Sequence, residues 1–347
     1  LKITNEALET HYINKMELIV ANHSSGTKLL PSSKGEYISV REPLPPLEAK
    51  NKDGKDITAL VNSPDGNYYR SGTDMVRKLK SGVYYDWLDV TTKVPDNAHR
   101  VKLILRYRNT LLSTILFYEV VLGSQGIDAI NWINEMNTNE RYASQFNFVY
   151  QTFSGLQISE DNNGKHTRKG SFADAGPLNW KYSAEKFDIN KEHELMIRLQ
   201  FIPDNFMIDY IAFDFSKEQE DAITFEEIAP YEFKDGEGNQ RNECAGLLKN
   251  ADDDYLITNP GDSYNIQYRY TKRNDCEQTF FVNSCGYYNE WIRGSWIRNN
   301  NSKNKGYVFN LLDIKGTLNC LADNWIYGRD EIEREFFKNR IPVRGAK

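Results

Sequence analysis

Apolar and polar residues alternate with a period of two along three stretches of the chain. In "VKLILRYR", Val101, Leu103, Leu105 and Tyr107 fall on one side, with Lys102, Arg106 and Arg108 on the other. "QFNFVYQTF" repeats the pattern with Phe146, Phe148 and Tyr150, and "LMIRLQF" with Leu195, Ile197, Leu199 and Phe201. This period predicts half-buried antiparallel strands with one wet face. A different spacing appears in "GIDAINWINEM", where Ile127, Ile130, Ile133 and Met136 make a helical stripe over residues 126–137. The C-terminal "GRDEIEREFFKNRIP" predicts a second helix, with Asp330 and Glu331 favourable in its first turn, Ile332 and Phe336 on its buried side, and Pro342 ending it. "GSQG", Gly123 to Gly126, suits a turn in which Ser124 caps the following helix.

Turn formers gather at two places. "REPLPPLEAKNKDGKD", Arg41 to Asp56, and the acidic "SKEQEDAITFEEIAPYEFKDGEGNQ", Ser216 to Gln240, read as connectors. They divide the chain into an N-terminal β segment (1–45), a middle block with one helix (57–216) and a C-terminal β-rich module ending in a helix (222–347). A length of 347 residues suits two or three cores, and 13 % aromatic content, led by Tyr and Phe, favours strands.

Net charge of −6 removes nucleic acid from consideration, since no basic surplus exists to neutralise phosphates. The most apolar run, Leu111 to Gly123, falls short of the roughly 20 residues that span a bilayer. Position 1 carries neither an initiator Met nor a leader, so the chain reads as a mature or trimmed form.

Candidate chemistry is sparse. Four cysteines, Cys244, Cys276, Cys285 and Cys320, lie in the last third; one or two disulfides in an exported domain, free buried thiols, or a metal site all fit, and three full pairings are open. His11, His23, His99, His166 and His193 lack ligand spacing and read as surface or loop residues. No GxSxG occurs. Among the carboxylates, Asp86 beside Trp87, Asp209 and Glu290 merit inspection as a glycosidase pair, although solvated or structural roles are the simpler reading. Asp252, Asp253 and Asp254 offer oxygens that calcium prefers, without EF-hand spacing; a plain turn is the first explanation and a structural calcium the second. No other cofactor is expected.

The densest feature is "CGYYNEWIRGSW", Cys285 to Trp296. Alternation from Phe280 to Val282 starts a strand, Gly286 breaks it, and Tyr287, Tyr288, Glu290, Trp291, Arg293 and Trp296 follow as a candidate binding cluster. Three uses fit: rings filling the core of the C-terminal module, a protein-binding patch, or a sugar platform.

"IDYIAF" resembles the closing strand of galactose-binding-like jelly rolls, and "YYDWLDVTTKVPDNAHRVKLILRYRNT" the turn-then-strand passage that opens them. The fold class expected is therefore mainly β: a galactose-binding-like β-sandwich (jelly roll) plus a second β-rich module with a C-terminal helix. Taken with "TNEALETHYINKMELIVANHSSGTKLLP", "FADAGPLNWK" and "DDDYLITNPGDSYNIQY…FFVNSCGYYNEWIRGSW", nearly the whole chain resembles the region following the propeller repeats in exported bacterial FG-GAP and ASPIC-type proteins. The resemblance implies an extracytoplasmic protein at the cell surface or outer membrane of a Gram-negative bacterium, held to the membrane only through an N-terminal lipid anchor. It also implies that the first 40 residues complete a domain begun upstream. It brings no catalytic residues, and the FG-GAP repeats with their calcium loops are absent here. The expected function is non-enzymatic: binding protein partners or scaffolding a surface complex. The alternative is a carbohydrate-binding module of a polysaccharide-capture system.

Overall fold

A computed structural model describes residues 1–72, 82, 85–162, 164–189, 193–217, 223–294, 296–297, 307–325, 328–338 and 340–343. The chain forms two compact units: 1–29, 219–293 and 334–347 in the first, 30–218 and 294–333 in the second.

The first unit is organised around one long strand. β1 (Lys2–Thr4) is followed by β2 (Glu9–His23), and the later strands are β14 (Thr224–Ile228), β15 (Glu232–Asp235), β16 (Leu256–Thr258), β17 (Ser263–Gln267) and β18 (Glu277–Glu290). β18 pairs antiparallel with β2 over its whole length; β16 takes the other edge of β2 at His11 to Ile13, and β14 takes it at Leu18 to Asn22. A second sheet has the order β1-β17-β15. Met16, Phe233, Leu248, Leu256 and Ile266 fill the core. The first residues therefore pair with strands from 224 onward, which corrects the reading of 1–45 as a separate segment. The acidic stretch 216–240 likewise supplies β14 and β15; residues 218–222 of it lie outside the described residues.

The second unit is a β-sandwich. Its strands are β3 (Lys28–Pro31), β4 (Tyr37–Val40), β5 (Glu48–Asn51), β6 (Tyr69–Arg70), β7 (Asp86–Lys93), β8 (Arg100–Asn109), β9 (Leu156–Asn162), β10 (Lys165–Phe172), β11 (Lys181–Asp188), β12 (Glu194–Phe201) and β13 (Phe206–Asp214). One sheet has the order β10-β9-β12-β7-β5 and the other β11-β8-β13-β6. The chain switches sheets between β7 and β8, and at every step from β10 through β13, as in a jelly roll. Between the sheets lie Leu88, Val90, Leu103, Leu105, Ile158, Ile197, Leu199 and Phe213. The sandwich expected from the alternation is thus present. The stretch 41–56, read as a connector, is partly structural, because β5 pairs with β7. β8 departs from the expected wet face: Ile104 is buried with Ala184 and Ala212 beneath Ile38 and Val40 of β4.

Helices gather at one end of this unit. α1 (Leu112–Ile115) continues through a π-helical stretch, Leu116–Leu122, into a last turn at Gly123–Gln125; α2 (Ala129–Thr138) and α3 (Glu140–Ser154) follow. α2 overlaps the predicted helix of 126–137, but Ile127 and Ile130 of the expected apolar stripe are exposed. α3 replaces the strand expected from "QFNFVYQTF". Asn139 caps it by accepting from the Tyr142 amide, and Val149 and Phe153, at helical spacing, pack on the apolar cluster of α1 while Phe148 stays 73 % exposed. Ser124 does not cap a helix as expected; its hydroxyl donates to the Val121 carbonyl inside the turn.

The first unit also holds α4 (Asn242–Gly246), and 294–333 adds α5 (Ile314–Trp325). In α6 (Arg329–Lys338), Ile332 packs on the α1 cluster, but Phe336, expected on the buried side, is exposed. Among the described residues no helix is long and apolar enough to cross a membrane.

A turn joins α5 and α6 to the sandwich. In "IPDN", Asn205 N–H donates to Ile202 O, Pro203 takes the second position, and Asp204 has φ of 62°. A positive φ at the third position normally selects glycine. Asp204 is fully buried, and its carboxylate accepts from Arg70 Nε at 2.8 Å, from Arg329 Nη1 and from Trp325 Nε1 at 2.8 Å. Arg70 in turn clasps Glu333 with two further bonds.

Asp204→Ala leaves two half-buried guanidinium groups without this carboxylate, and is expected to destabilise the protein by about 3–5 kcal/mol. Denaturant unfolding checks this, the midpoint falling without a change in slope.

Candidate functional site

Strand β18 carries most of the candidate cluster, and Gly286 does not break it. Pairing with β2 slips by one residue between Cys285 and Gly286, giving a bulge, and the strand continues to Glu290. A Cβ on Gly286 would lie 2.3 Å from the Tyr12 carbonyl oxygen, so only glycine permits this approach. Beyond the bulge, Tyr287 stacks on Tyr12 with centroids 4.8 Å apart and rings 8° from parallel, and Tyr255 meets both rings edge-on.

Tyr288 sets its ring at 71° to His11. Burial, then the Glu290 and Glu9 charges, pushes its phenol up to about 12. Trp291 donates its indole N–H to Thr10 Oγ1 at 3.0 Å, and Thr10 donates on to Asn259.

Glu9 and Glu290 are register partners at the end of the β2–β18 ladder. Glu9 Oε1 is 2.6 Å from His11 Nε2, and Glu290, whose side chain is nearly buried, lies 3.7 Å from Arg293 Nη2. Burial alone would raise the Glu9 pKa; the bonds from His11 and Glu290, and the charges of His11 and Arg293, hold it below its ordinary value.

The other inspected carboxylates are taken up by the sandwich. Asp86 is buried and accepts from Tyr69, Ser71 and the Trp87 amide. Asp209 sits at a bulge in β13 that lets both Ile208 and Ile211 reach the core, and it accepts from Arg106 and Gly66 N.

Several expectations change here. Tyr287, Tyr288, Glu290, Trp291 and Arg293 come together on the first unit, but Trp296 belongs to the second, 1 % exposed beside Leu122 and Ala129. The rings of β18 are not core: Tyr287 is 50 % and Trp291 44 % exposed. His11 and His23 are strand residues of β2, not loop residues, and His23 is buried between Thr27 and Thr279. All four cysteines are free thiols. Cys276 and Cys285 lie nine residues apart along one extended segment, about 30 Å, far beyond bridging distance. Asp252 accepts from the Asp254 amide and its carbonyl from Asn14, a turn; among the described residues no His, Cys, Asp or Glu cluster is placed to hold a metal. Glu9, Thr10, His11 and Tyr12 were missed, because only pairing with residues some 280 positions away brings them to the cluster.

Gly286→Val is expected to cost about 1–3 kcal/mol through overpacking against the β2 backbone, read by thermal or denaturant unfolding. Glu9→Gln tests the carboxyl pair by pH. Because the folded pKa lies below the ordinary 4.5, the wild-type advantage is full above that value. It closes as pH falls through the folded value, and unfolding of both proteins from pH 7 to pH 3 follows it.

No family model matches the chain, and a search of curated proteins finds none similar. Among solved structures, the chain is similar to the C-terminal CBM6 of LamC, a marine laminarinase from Zobellia galactanivorans, at 9 % identity, 56 % coverage of this chain, 98 % of that one and a TM-score of 0.21. At that score the fold rests on strand order and packing, and the ligand of the similar protein is not carried over.

Proposed function

We propose that the protein is a non-enzymatic scaffold that binds another protein by accepting an extended segment along the free edge of β18. One observation carries this reading. β18 runs for 14 residues with β2 as its one strand partner among the described residues; the 270–273 segment meets it only at Gln278 and Phe280, and Val282 to Asn289 are exposed throughout.

Edge strands offer unpaired N–H and C=O groups, and proteins usually protect them with short length, Lys or Pro. β18 is more than twice the usual strand length and contains no Lys, Arg or Pro. Its exposed Phe280, Val282, Tyr287 and Tyr288 supply the apolar and aromatic surface that strand addition uses for specificity. Placement outside the cytoplasm, at a bacterial surface or outer membrane, is part of the same proposal and is supported by the family resemblance alone.

A photo-crosslinking residue at Ser284, on the chain incubated with solubilised membranes of its source, is expected to join one partner in equal proportion through an extended peptide. Val282→Lys is expected to abolish the product while leaving the melting temperature within about 2 °C, as surface changes do, and Tyr287→Lys to abolish it with some loss of stability from the stack on Tyr12. A cross-linked homodimer, or a product indifferent to both lysines, would refute strand addition by another protein.

A further inference from the structure

A second surface, on the sandwich, is built differently. The outer face of the β11-β8-β13-β6 sheet is covered at one end, where Ile38 and Val40 lie on Ile104, Ala184 and Ala212. At the other end it is open. There Arg106 of β8 lies between Tyr182 of β11 and Tyr210 of β13 in the strand register, and Arg108 follows on the same face.

Trp180, one residue before β11, lies 5.1 Å from each guanidinium, and Tyr68 closes the other side with its ring 5.5 Å from Trp180. Tyr182 and Tyr68 are 40 % and 37 % exposed, and Trp180 is half-buried. Rings are thus held in place by a rigid sheet and by cations, with surface left over for a ligand.

The two arginines are not equivalent. Arg106 is neutralised by the buried Asp209 carboxylate. Arg108 has Nε 3.2 Å from Met207 Sδ and Nη1 3.5 Å from the Pro177 carbonyl, and among the described residues it faces no carboxylate. In a chain of net charge −6, an arginine left uncompensated beside exposed rings is a specific positive point on an acidic molecule.

We propose that this face binds an acidic polysaccharide bearing uronate residues. The C–H face of a pyranose ring rests on Tyr182 and Trp180, and the uronate carboxylate meets the Arg108 guanidinium. A planar carboxylate suits a guanidinium fork in a way that a neutral hydroxyl does not. Neutral glucans lack that anion. The site lies wholly within the second unit and uses no residue of β18.

The test is titration of the purified chain with polygalacturonate, alginate, a sulfated galactan and a neutral glucan, followed by tryptophan fluorescence and calorimetry. The uronate polymers are expected to bind, more weakly as salt rises. Arg108→Gln and Tyr182→Ala should each weaken binding at least tenfold with an unchanged melting temperature, and Val282→Lys should leave it unaltered. Trp180→Ala adds a second reading of the ring contact if it folds. Absence of uronate binding, equal binding of the neutral glucan or the sulfated galactan, or full affinity in Arg108→Gln would overturn the proposal.

Discussion

The first unit depends on the pairing of β2 with strands made more than 200 residues later. β2 is the only strand in its sheet that touches β14, β16 and β18 among the described residues, so without it the three have no common partner. Closing so large a loop costs entropy that grows only slowly with length, and a ladder along all of β18 together with a small apolar core offsets it. The same ladder fixes the bulge at Gly286, and the bulge decides which rings face Tyr12 and which face His11. The candidate site is therefore a product of register more than of local sequence.

In the sandwich the comparable constraint is compact. A two-residue turn places Asp204 in a backbone conformation that glycine would adopt more easily, and the side chain gained by that strain gathers Arg70, Arg329 and Trp325. Helix α6 is thereby tied to a turn between two central strands through charged groups, while α5 adds apolar packing of Leu318 and Leu321 on the α1 cluster. The open end of the outer sheet face, with Arg108 and Trp180, lies on strands that this arrangement holds rigid.

Legibility in the sequence followed the periodicity. β8 and β12 are readable because their inward residues alternate, whereas β13, buried on both faces and bulged at Asp209, is reached only through the resemblance of "IDYIAF" to a closing strand. The segment 140–154 was misread because Phe146, Phe148 and Tyr150 satisfy a period of two, while the contacts that decide, Val149 and Phe153 on the α1 cluster, depend on neighbours invisible in sequence. The aromatic cluster was found, but its membership was not. Trp291 and Trp296 are five residues apart and end in different units. Glu9 and His11 carried no signal at all, since nothing near them in the chain hints at Glu290 or Tyr288. The Arg108 and Trp180 platform was equally silent, being assembled from three strands and two loop ends.

The order of segments in the chain has a consequence for synthesis. Glu9 to His23 leave the ribosome some 260 residues before Glu277 to Glu290, and at typical elongation rates that interval is roughly ten to fifty seconds. The sandwich strands all lie between, so they are made while β2 is unpaired; β14 then takes one edge of β2 at Leu18 to Asn22, and the other edge waits for β18. Until β18 is made, the nascent protein thus carries an apolar strand with one edge unpaired, a substrate for holding chaperones and for wrong pairing between neighbouring chains on one message.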